Sequence, residues 1–237
     1  MMPPALVGFW AGVAACTATL AYDVVQVGQI LGLAHFPIDE VLIFGTSLCI
    51  VVPFVLEILA LHHTTAGDRR FWTQAALFFT TLYALFGSAN YVVQLSTVIP
   101  AKLHGTLDPV RVLEQTPHSL LWDFDAMAYI AMGLAAMVII PALQDVREER
   151  RLRLACIAHA AATVLAGVVY FYPSYSTSLL LLGFPWAITA PLFMGLLAAA
   201  LRARLSTGSL LIDLEPVRFG GPRPRSEKFA GIPPSAS

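Results

Sequence analysis

Six apolar stretches of about 20 residues or more follow one another along the chain, separated by short polar segments. An α-helix of that length crosses the hydrocarbon core of a bilayer, and water-soluble folds have too little core volume to bury so much apolar surface. The pattern therefore predicts an all-α, polytopic helix bundle in a membrane. The six helices are expected near residues 5–33, 40–61, 71–99, 118–142, 153–172 and 178–202.

Composition agrees with this class of protein. Charged residues are 12% of the 237 residues and hydrophobic residues are 57%, whereas a soluble domain carries about 25% charged residues. The formal net charge is only −1. A balanced charge gives no electrostatic reason to bind nucleic acid, so no such partner is expected.

Basic residues orient the six helices. Lys and Arg total 14, and in this assignment all but Lys102 and Arg111 fall on one side of the membrane. They lie in the connection between helices 2 and 3, in the connection between helices 4 and 5, and after helix 6. Because cytoplasmic loops are enriched in Lys and Arg, both termini are predicted to be cytoplasmic.

Two segments outside the helices have recognisable patterns. Residues 1–204 are predicted to form the transmembrane domain, and residues 205–237 turn to Ser, Gly, Pro and charge, which predicts a disordered cytoplasmic tail. Between helices 3 and 4, Asp108 and Pro109 are typical of the start of a helix. A short helix is expected there, lying along the outer interface as a lid.

Polar residues inside the predicted helices are the candidates for a functional site, because a charge in mid-membrane costs about 2.5 to 3.5 kcal/mol and usually faces the bundle interior. On helix 3, Thr80, Tyr83, Gly87, Asn90 and Gln94 share one face. This stripe is typical either of a pocket wall or of hydrogen bonding between helices. Both interpretations remain open.

The predicted topology brings several polar residues to the outer half of the membrane. Asp125 and Asp23 are favoured as functional carboxyls, with pairing to Gln or Asn as the structural alternative. Asp123 points about 200° away from Asp125 on its helix, so only one of the two is central. Glu57, near His62 and His63, is expected to be an interfacial acid. The candidate catalytic residues are Asp23, Asp125 and Asp123; the candidate substrate-binding residues are Gln26, Tyr83, Asn90, Tyr91, Gln94 and Trp122.

These residues predict an intramembrane enzyme that acts on a lipid-like or isoprenoid molecule by acid/base chemistry, as a cyclase or isomerase. A small-molecule or proton-coupled transporter and a non-catalytic assembly scaffold are the alternatives. The expected partners are membrane lipids and a hydrophobic small-molecule substrate. Ala158, Ala162 and Ala166 form a small-residue face on helix 5 that favours a homo-oligomer.

No cofactor or metal is expected, because no cofactor motif and no HxxxH or HExxH spacing occurs in the sequence. A pairing of His62 or His63 with His159 across helices 2 and 5 is the weak alternative that would hold a haem or a metal.

Cysteine labelling in intact cells tests the orientation. A cysteine at position 112 is expected to react strongly with an impermeant reagent, and one at position 149 is expected to stay silent, because the first faces outward and the second faces the cytoplasm. The reverse pattern would show that the orientation is wrong.

Overall fold

The computed structural model of the protein describes residues 2–213, and every regular element within this range is a helix. Six of the helices are long and apolar enough to cross a membrane, which confirms the predicted all-α, multi-pass bundle. We number them α1 to α6. Their bounds are α1 Pro4–Ile30, α2 Ile38–His63, α3 Arg69–Leu103, α4 Leu120–Ala142, α5 Arg147–Phe171 and α6 Phe184–Asp213.

The six helices form a closed ring in chain order. Each helix packs against the next one, α6 packs against α1, and α2 also contacts α6 across the middle. Arg69, Arg147 and Arg204 lie at one end of the ring, which we call the arginine end. The opposite end, where α1 and α3 finish and α2, α4 and α6 begin, is called the pocket end.

Apolar side chains face both the inside and the outside of this ring. Wholly buried ones fill its interior, including Phe54, Ile58, Met132, Phe193 and Leu197. Large apolar side chains also cover the outer surface, including Val24, Val52, Phe78, Leu154, Val164 and Ile188. A helix that is apolar on all sides is typical of a membrane span.

Helices α5 and α3 each extend beyond their predicted bounds. α5 begins at Arg147, and not near residue 153, so the arginines predicted to lie in a connection form its first turns. Arg, Glu and Leu are strong helix formers, which explains the extension. α3 continues past Pro100 to Leu103 through a π-helical turn at Gln94–Val98. Such turns are rare and are frequent at functional sites.

The start of the sixth helix differs from the prediction. The predicted start near residue 178 is a short helical turn, Thr177–Leu180, followed by a 3-10 turn, Leu181–Gly183. Pro185 therefore lies in the first turn of α6, where a missing N–H is tolerated, and Pro191 lies inside the helix. α6 runs to Asp213, so residues 205–213 are helical, and the remainder of the predicted tail lies outside the described residues.

Glycines of α1 allow three helices to approach closely. A side chain at Gly8 would overlap Ala60 of α2, and one at Gly12 would overlap the carboxyl group of Glu57 and the side chain of Ala198 in α6. Glu57 is therefore wholly buried. The residue faces the seam between α1 and α6 about 9 Å before α2 ends, so it is not on the surface of the bundle, and its position at the membrane interface stays a prediction.

Small residues of α5 pack mainly within the chain. Ala162 and Ala166 are each only 3% exposed, whereas Ala158 is exposed. Two of the three residues predicted to form an oligomer contact are thus covered by neighbouring helices of the same molecule. The homo-oligomer remains a prediction.

A buried ion pair closes the arginine end. The Arg204 guanidinium of α6 donates to Glu149 Oε1 of α5 at 2.7 Å (Nη2) and 3.1 Å (Nε). It also donates to Thr64 Oγ1, beside the end of α2, at 3.0 Å. The backbone N–H of Gln144 donates to the other Glu149 oxygen. One side chain thus connects three elements of the ring.

Removal of one partner from this ion pair is expected to destabilise the bundle. Arg204→Met leaves Glu149 buried without a counter-ion, and we expect the free energy of unfolding to fall by about 3 to 5 kcal/mol. Thermal unfolding of the purified protein in detergent measures the change. Glu149→Gln combined with Arg204→Met is expected to recover part of it, because no unpaired charge then remains.

Arg150→Met is the matched control. Arg150 forms an exposed pair with Asp145 at 2.6 Å, and hydrogen bonds from its guanidinium lower the pKa of Asp145. Exposed ion pairs add little stability, so the melting temperature should barely change. Equal losses in Arg204→Met and Arg150→Met would contradict the role of the buried pair.

The structure also indicates a better position for the cytoplasmic cysteine in the labelling experiment. Val112 is 69% exposed, whereas Glu149 is 3% exposed and ion-paired. A cysteine at position 149 could then stay unlabelled either because it is buried or because it faces the cytoplasm. A cysteine at Asp145, whose side chain is 70% exposed, separates the two.

Candidate functional site

A cavity of about 760 Å³ opens at the pocket end, and residues from all six long helices line it. Its volume lies within the range of about 300 to 1,000 Å³ that is usual for small-molecule sites. Polar residues cluster on its inner wall. They include Asp23, Gln26, Tyr91, Gln94, Gln115 and Asp125.

Asp125 is the most heavily hydrogen-bonded group of the cavity. Its carboxyl group accepts from Tyr170 Oη at 2.5 Å, from Gln115 Nε2 at 3.0 Å and from Tyr91 Oη at 3.1 Å. The residue is 5% exposed. Every one of these neighbours donates, which is the arrangement that suits a carboxylate, a group that only accepts.

A loop segment brings one of these donors into the bundle. The predicted short helix is present as a 3-10 helix, Asp108–Leu113. The segment 108–116, which we call the lid, is held to α3 by several contacts. Gln94 Nε2 donates to Leu113 O at 2.8 Å, Asn90 Nδ2 donates to Gln115 Oε1 at 2.7 Å, and the backbone N–H of Gln115 donates to Gln94 Oε1 at 3.3 Å. The polar stripe of α3 thus anchors the lid and, through Gln115, contacts Asp125.

Aromatic rings form a continuous row along the cavity, which we call the aromatic wall. Its members are Trp122, Tyr129, Tyr170, Tyr175 and Trp186. Ring centroids are 4.5 Å apart for Trp122 and Tyr170, 5.5 Å for Tyr129 and Tyr170, and 4.6 Å for Tyr129 and Trp186. These separations are typical of packed aromatic pairs. The wall is therefore rigid and apolar, with Asp125 beside it.

α1 supplies a second polar group. Tyr22 Oη donates to Gln26 Oε1 at 2.7 Å and lies 3.1 Å from Tyr129 Oη. Asp23 follows in the chain, lines the cavity and is half-buried. Its Oδ1 atom is buried and has no hydrogen-bond partner within residues 2–213. Buried polar atoms are normally paired, so this oxygen is free to accept from a ligand.

Trp186 of the aromatic wall also has an unsatisfied group. The residue is 6% exposed, and its buried Nε1 atom has no hydrogen-bond partner in the described part of the chain. An indole N–H donates only. The unsatisfied atoms of Trp186 and Asp23 are thus both available to a molecule bound in the cavity.

Ion pairs surround the mouth of the cavity. Lys102, at the end of α3, lies 2.9 Å from Glu40 Oε1 at the start of α2 and 2.8 Å from Glu114 Oε1 in the lid. One ammonium group thus connects two helices and the lid. These side chains are about one-fifth exposed, so water reaches this part of the site.

The predicted site residues separate into two groups. Asp23, Gln26, Tyr91, Gln94, Trp122 and Asp125 line the cavity. The other three lie elsewhere. Asn90 is wholly buried behind Gln115, Tyr83 is buried against Phe54, and Asp123 is exposed. The angular separation of Asp123 and Asp125 on α4 explains why only Asp125 faces inward.

Several site residues escaped the sequence analysis. Tyr170 donates to Asp125 from α5, a helix whose sequence indicates only a structural role. Gln115 lies in a loop where no burial is expected. The only available signal was indirect: a buried carboxyl group needs donors, and Tyr170 and Gln115 are polar residues close to the pocket ends of their segments.

His62 and His159 do not form the pair that was the alternative for a haem or metal site. His62 Nδ1 lies 3.1 Å from Thr73 Oγ1, whereas wholly buried His159 bonds Thr189 and stacks on Phe193. Within residues 2–213, no group of three or more His, Cys, Asp or Glu side chains is arranged to hold a metal ion.

Comparison with known proteins finds no match: no protein family, no curated protein and no solved structure corresponds to this chain. Function has to be inferred from the cavity itself.

Gln115→Ala tests how the lid is held. The substitution removes the bonds from Asn90 and to Asp125, and hydrogen bonds to a charged group contribute about 1.5 to 3 kcal/mol. We expect amide hydrogen exchange within residues 108–116 to become faster by about tenfold or more. Mass spectrometry of peptides from the detergent-solubilised protein measures the rate.

Arg111→Ala provides the control within the same lid. Arg111 is exposed and pairs only with Asp108 of the same turn, at 2.8 Å. Its loss should leave exchange in residues 108–116 nearly unchanged. Similar acceleration in both variants would show that Gln115 does not anchor the lid.

Proposed function

We propose that the protein is an intramembrane enzyme that isomerises or cyclises a hydrophobic, lipid-like or isoprenoid substrate by acid/base chemistry. The observation that carries the proposal is the position of Asp125, a buried carboxyl group beside an aromatic wall in a cavity of about 760 Å³. A carboxyl group in such a setting can exchange a proton with a bound molecule away from bulk water.

The way into the cavity favours a substrate from the bilayer. Side chains of α1 and α6 that line the cavity are also exposed on the outer surface: Val24 is 72% exposed, Val27 45%, Phe184 55% and Ile188 58%. The cavity thus opens sideways between α1 and α6, through apolar residues. A hydrocarbon chain can enter there without crossing water.

Two carboxyl groups supply the chemistry. Asp23, in its acid form, donates a proton to a carbon–carbon double bond, and the neighbouring carbon becomes cationic. Asp125 then accepts a proton from a carbon beside that centre, and a new double bond forms. Attack by a second double bond before this step closes a ring. One proton enters and one leaves, so no co-reactant is consumed. Asp125 then releases its proton to water at the mouth of the cavity, and water returns a proton to Asp23.

The remaining cavity residues orient the substrate in this scheme. The aromatic wall stabilises positive charge through its ring faces. Gln26 offers a hydrogen bond to a polar substituent, whereas the side-chain amide of Gln94 holds the lid. General acid/base groups typically accelerate a reaction by about 10² to 10⁴-fold, and rate effects of this size are what replacement of Asp125 should reveal.

A proton-coupled carrier is the second candidate, because of Glu57. This carboxyl group is wholly buried, and neither oxygen has a hydrogen-bond partner within the described residues. Acidic residues inside membrane bundles often belong to proton relays. Glu57 does not line the large cavity, so the enzyme mechanism does not use it.

The orientation of the protein forms part of the proposal. If Arg69, Arg70 and the arginines that begin α5 are cytoplasmic, as their clustering indicates, then the pocket end lies toward the outer leaflet. Substrate would then enter from that leaflet, with the lid facing the aqueous phase outside.

Asp125→Asn tests the chemistry. Asparagine keeps the shape and the ability to accept hydrogen bonds but has no titratable proton. We expect the protein to fold and the product to fall by about 10²-fold or more. Lipid extracts of cells that express the wild type, the variant or neither, compared by mass spectrometry, measure the product.

Asp123→Asn is the matched control, since Asp123 is exposed on the same helix. It should leave the product at the level of the wild type. Identical lipid profiles in all cells, together with changed uptake of a solute, would reject the enzyme and favour the carrier.

A further inference from the structure

The charges that line the cavity do not balance. Four charged residues line it: Asp23, Glu40, Lys102 and Asp125. Glu40 is paired with Lys102 at 2.9 Å, and the second partner of Lys102 is Glu114, at 2.8 Å. Within residues 2–213, neither Asp23 nor Asp125 forms an ion pair with Lys, Arg or His. Two acids therefore face the cavity without a cation.

The aromatic wall complements these acids. Tyr129 and Tyr170 stand between Trp122 on one side and Trp186 on the other, and the centroid separations along the row are 4.5 to 5.5 Å. The faces of aromatic rings are negative, and several rings beside one another bind quaternary ammonium groups. Acids and rings thus attract the same kind of ligand.

We infer that the cavity recognises an amphiphilic organic cation, with a compact positive head between the aromatic wall and the acids Asp23 and Asp125, and with one hydrocarbon tail in the opening between α1 and α6. The head would be about the size of a trimethylammonium group, which has no N–H to donate and is bound by ring faces and charge alone.

Other ligand classes fit the cavity less well. An anionic head would meet two uncompensated acids, and like charges repel across a poorly solvated space. A neutral hydrocarbon fits only while Asp23 is in its acid form, because burial of an unpaired carboxylate costs several kcal/mol. A cation removes both difficulties at once.

The tail has its own contacts. The apolar side chains that line the opening are Leu20, Val24 and Val27 of α1, Leu181 of the 3-10 turn before α6, and Phe184 and Ile188 of α6. All are at least 45% exposed. About half of this apolar surface is therefore exposed on the outside of the bundle, which suits a hydrocarbon chain that extends from the cavity into the bilayer.

This inference deepens the proposed function, on which it rests for the origin of the cation. Proton transfer from Asp23 to a neutral isoprenoid creates a cation in this cavity and leaves Asp23 as a carboxylate. A stable ammonium amphiphile resembles that state. Binding of the ammonium ion can nevertheless be measured without any turnover.

The experiment measures binding of tritiated decyltrimethylammonium to the full-length protein, held on scintillation beads in maltoside detergent. Decanol and decyl sulfate, with the same tail but a neutral or an anionic head, serve as competitors. We expect saturable binding that excess unlabelled cation displaces, whereas decanol and decyl sulfate compete at least about tenfold less well.

Three variants locate the binding site. Asp23→Asn and Asp125→Asn are each expected to weaken binding by about tenfold or more, and Asp123→Asn is expected to change it by less than about twofold. Circular dichroism and gel filtration check folding. If Asp125→Asn fails to fold, Asp23→Asn alone tests the inference. Its folding should be unaffected, since Asp23 Oδ1 has no hydrogen-bond partner within residues 2–213.

Each outcome has one meaning. Equal competition by decanol, or equal binding to wild type and Asp23→Asn, overturns the inference. If that occurs while Asp125→Asn still abolishes the lipid product, the proposed enzyme activity is supported and the cationic ligand is rejected. If the cation binds as expected and the lipid profiles are unchanged, the proposed enzyme activity is rejected and the cation-binding site is supported.

Discussion

The close contact of α1, α2 and α6 around Gly8 and Gly12 is the constraint on which the rest of the bundle depends. No side chain fits at either glycine, because Ala60, Glu57 and Ala198 occupy the space. This contact joins the first helix to the last and so closes the ring. It continues toward the middle of the membrane, where Thr19 Oγ1 lies 3.2 Å from Met194 Sδ.

Beyond that point the same two helices border the cavity, although the rings of Tyr22 and Trp186 still meet at 6.2 Å. The cavity begins at Leu20 on α1 and at Ile188 on α6, one turn or so from the last close contact. α6 starts only at Phe184, after two short turns, and therefore cannot cover the end of α1. The pair α1 and α6 is thus tightly packed at the arginine end and borders the cavity at the pocket end.

Inside this opening, polar groups form hydrogen bonds within the bundle, since lipid tails offer no donors or acceptors. Asp125 shows how this is achieved: donors come from α3, from α5 and from the lid. The lid itself is held by Gln94 and Asn90. A functional carboxyl group and a structural hydrogen-bond network are therefore the same feature, and the two interpretations of the α3 stripe do not exclude each other.

Much of this architecture was predictable from the sequence. Apolar length alone determined the number and type of the helices, because the bilayer allows no other element of that composition to cross it. Helical periodicity determined that Tyr83, Asn90 and Gln94 share one face and that Asp123 and Asp125 do not. The short helix at Asp108 was predictable from the Asp-Pro pair, although Leu107 is its N-cap and no side chain caps it.

Only the tertiary structure decided which faces meet. The closed ring, the burial of Glu57, the donation from Tyr170 to Asp125 and the insertion of Gln115 all join residues that are far apart in sequence. Periodicity gives the direction of a side chain around its own helix but not the rotation of that helix against its neighbours. That rotation is set by close packing, such as the contact at Gly12, which the apolar pattern of a membrane helix does not encode.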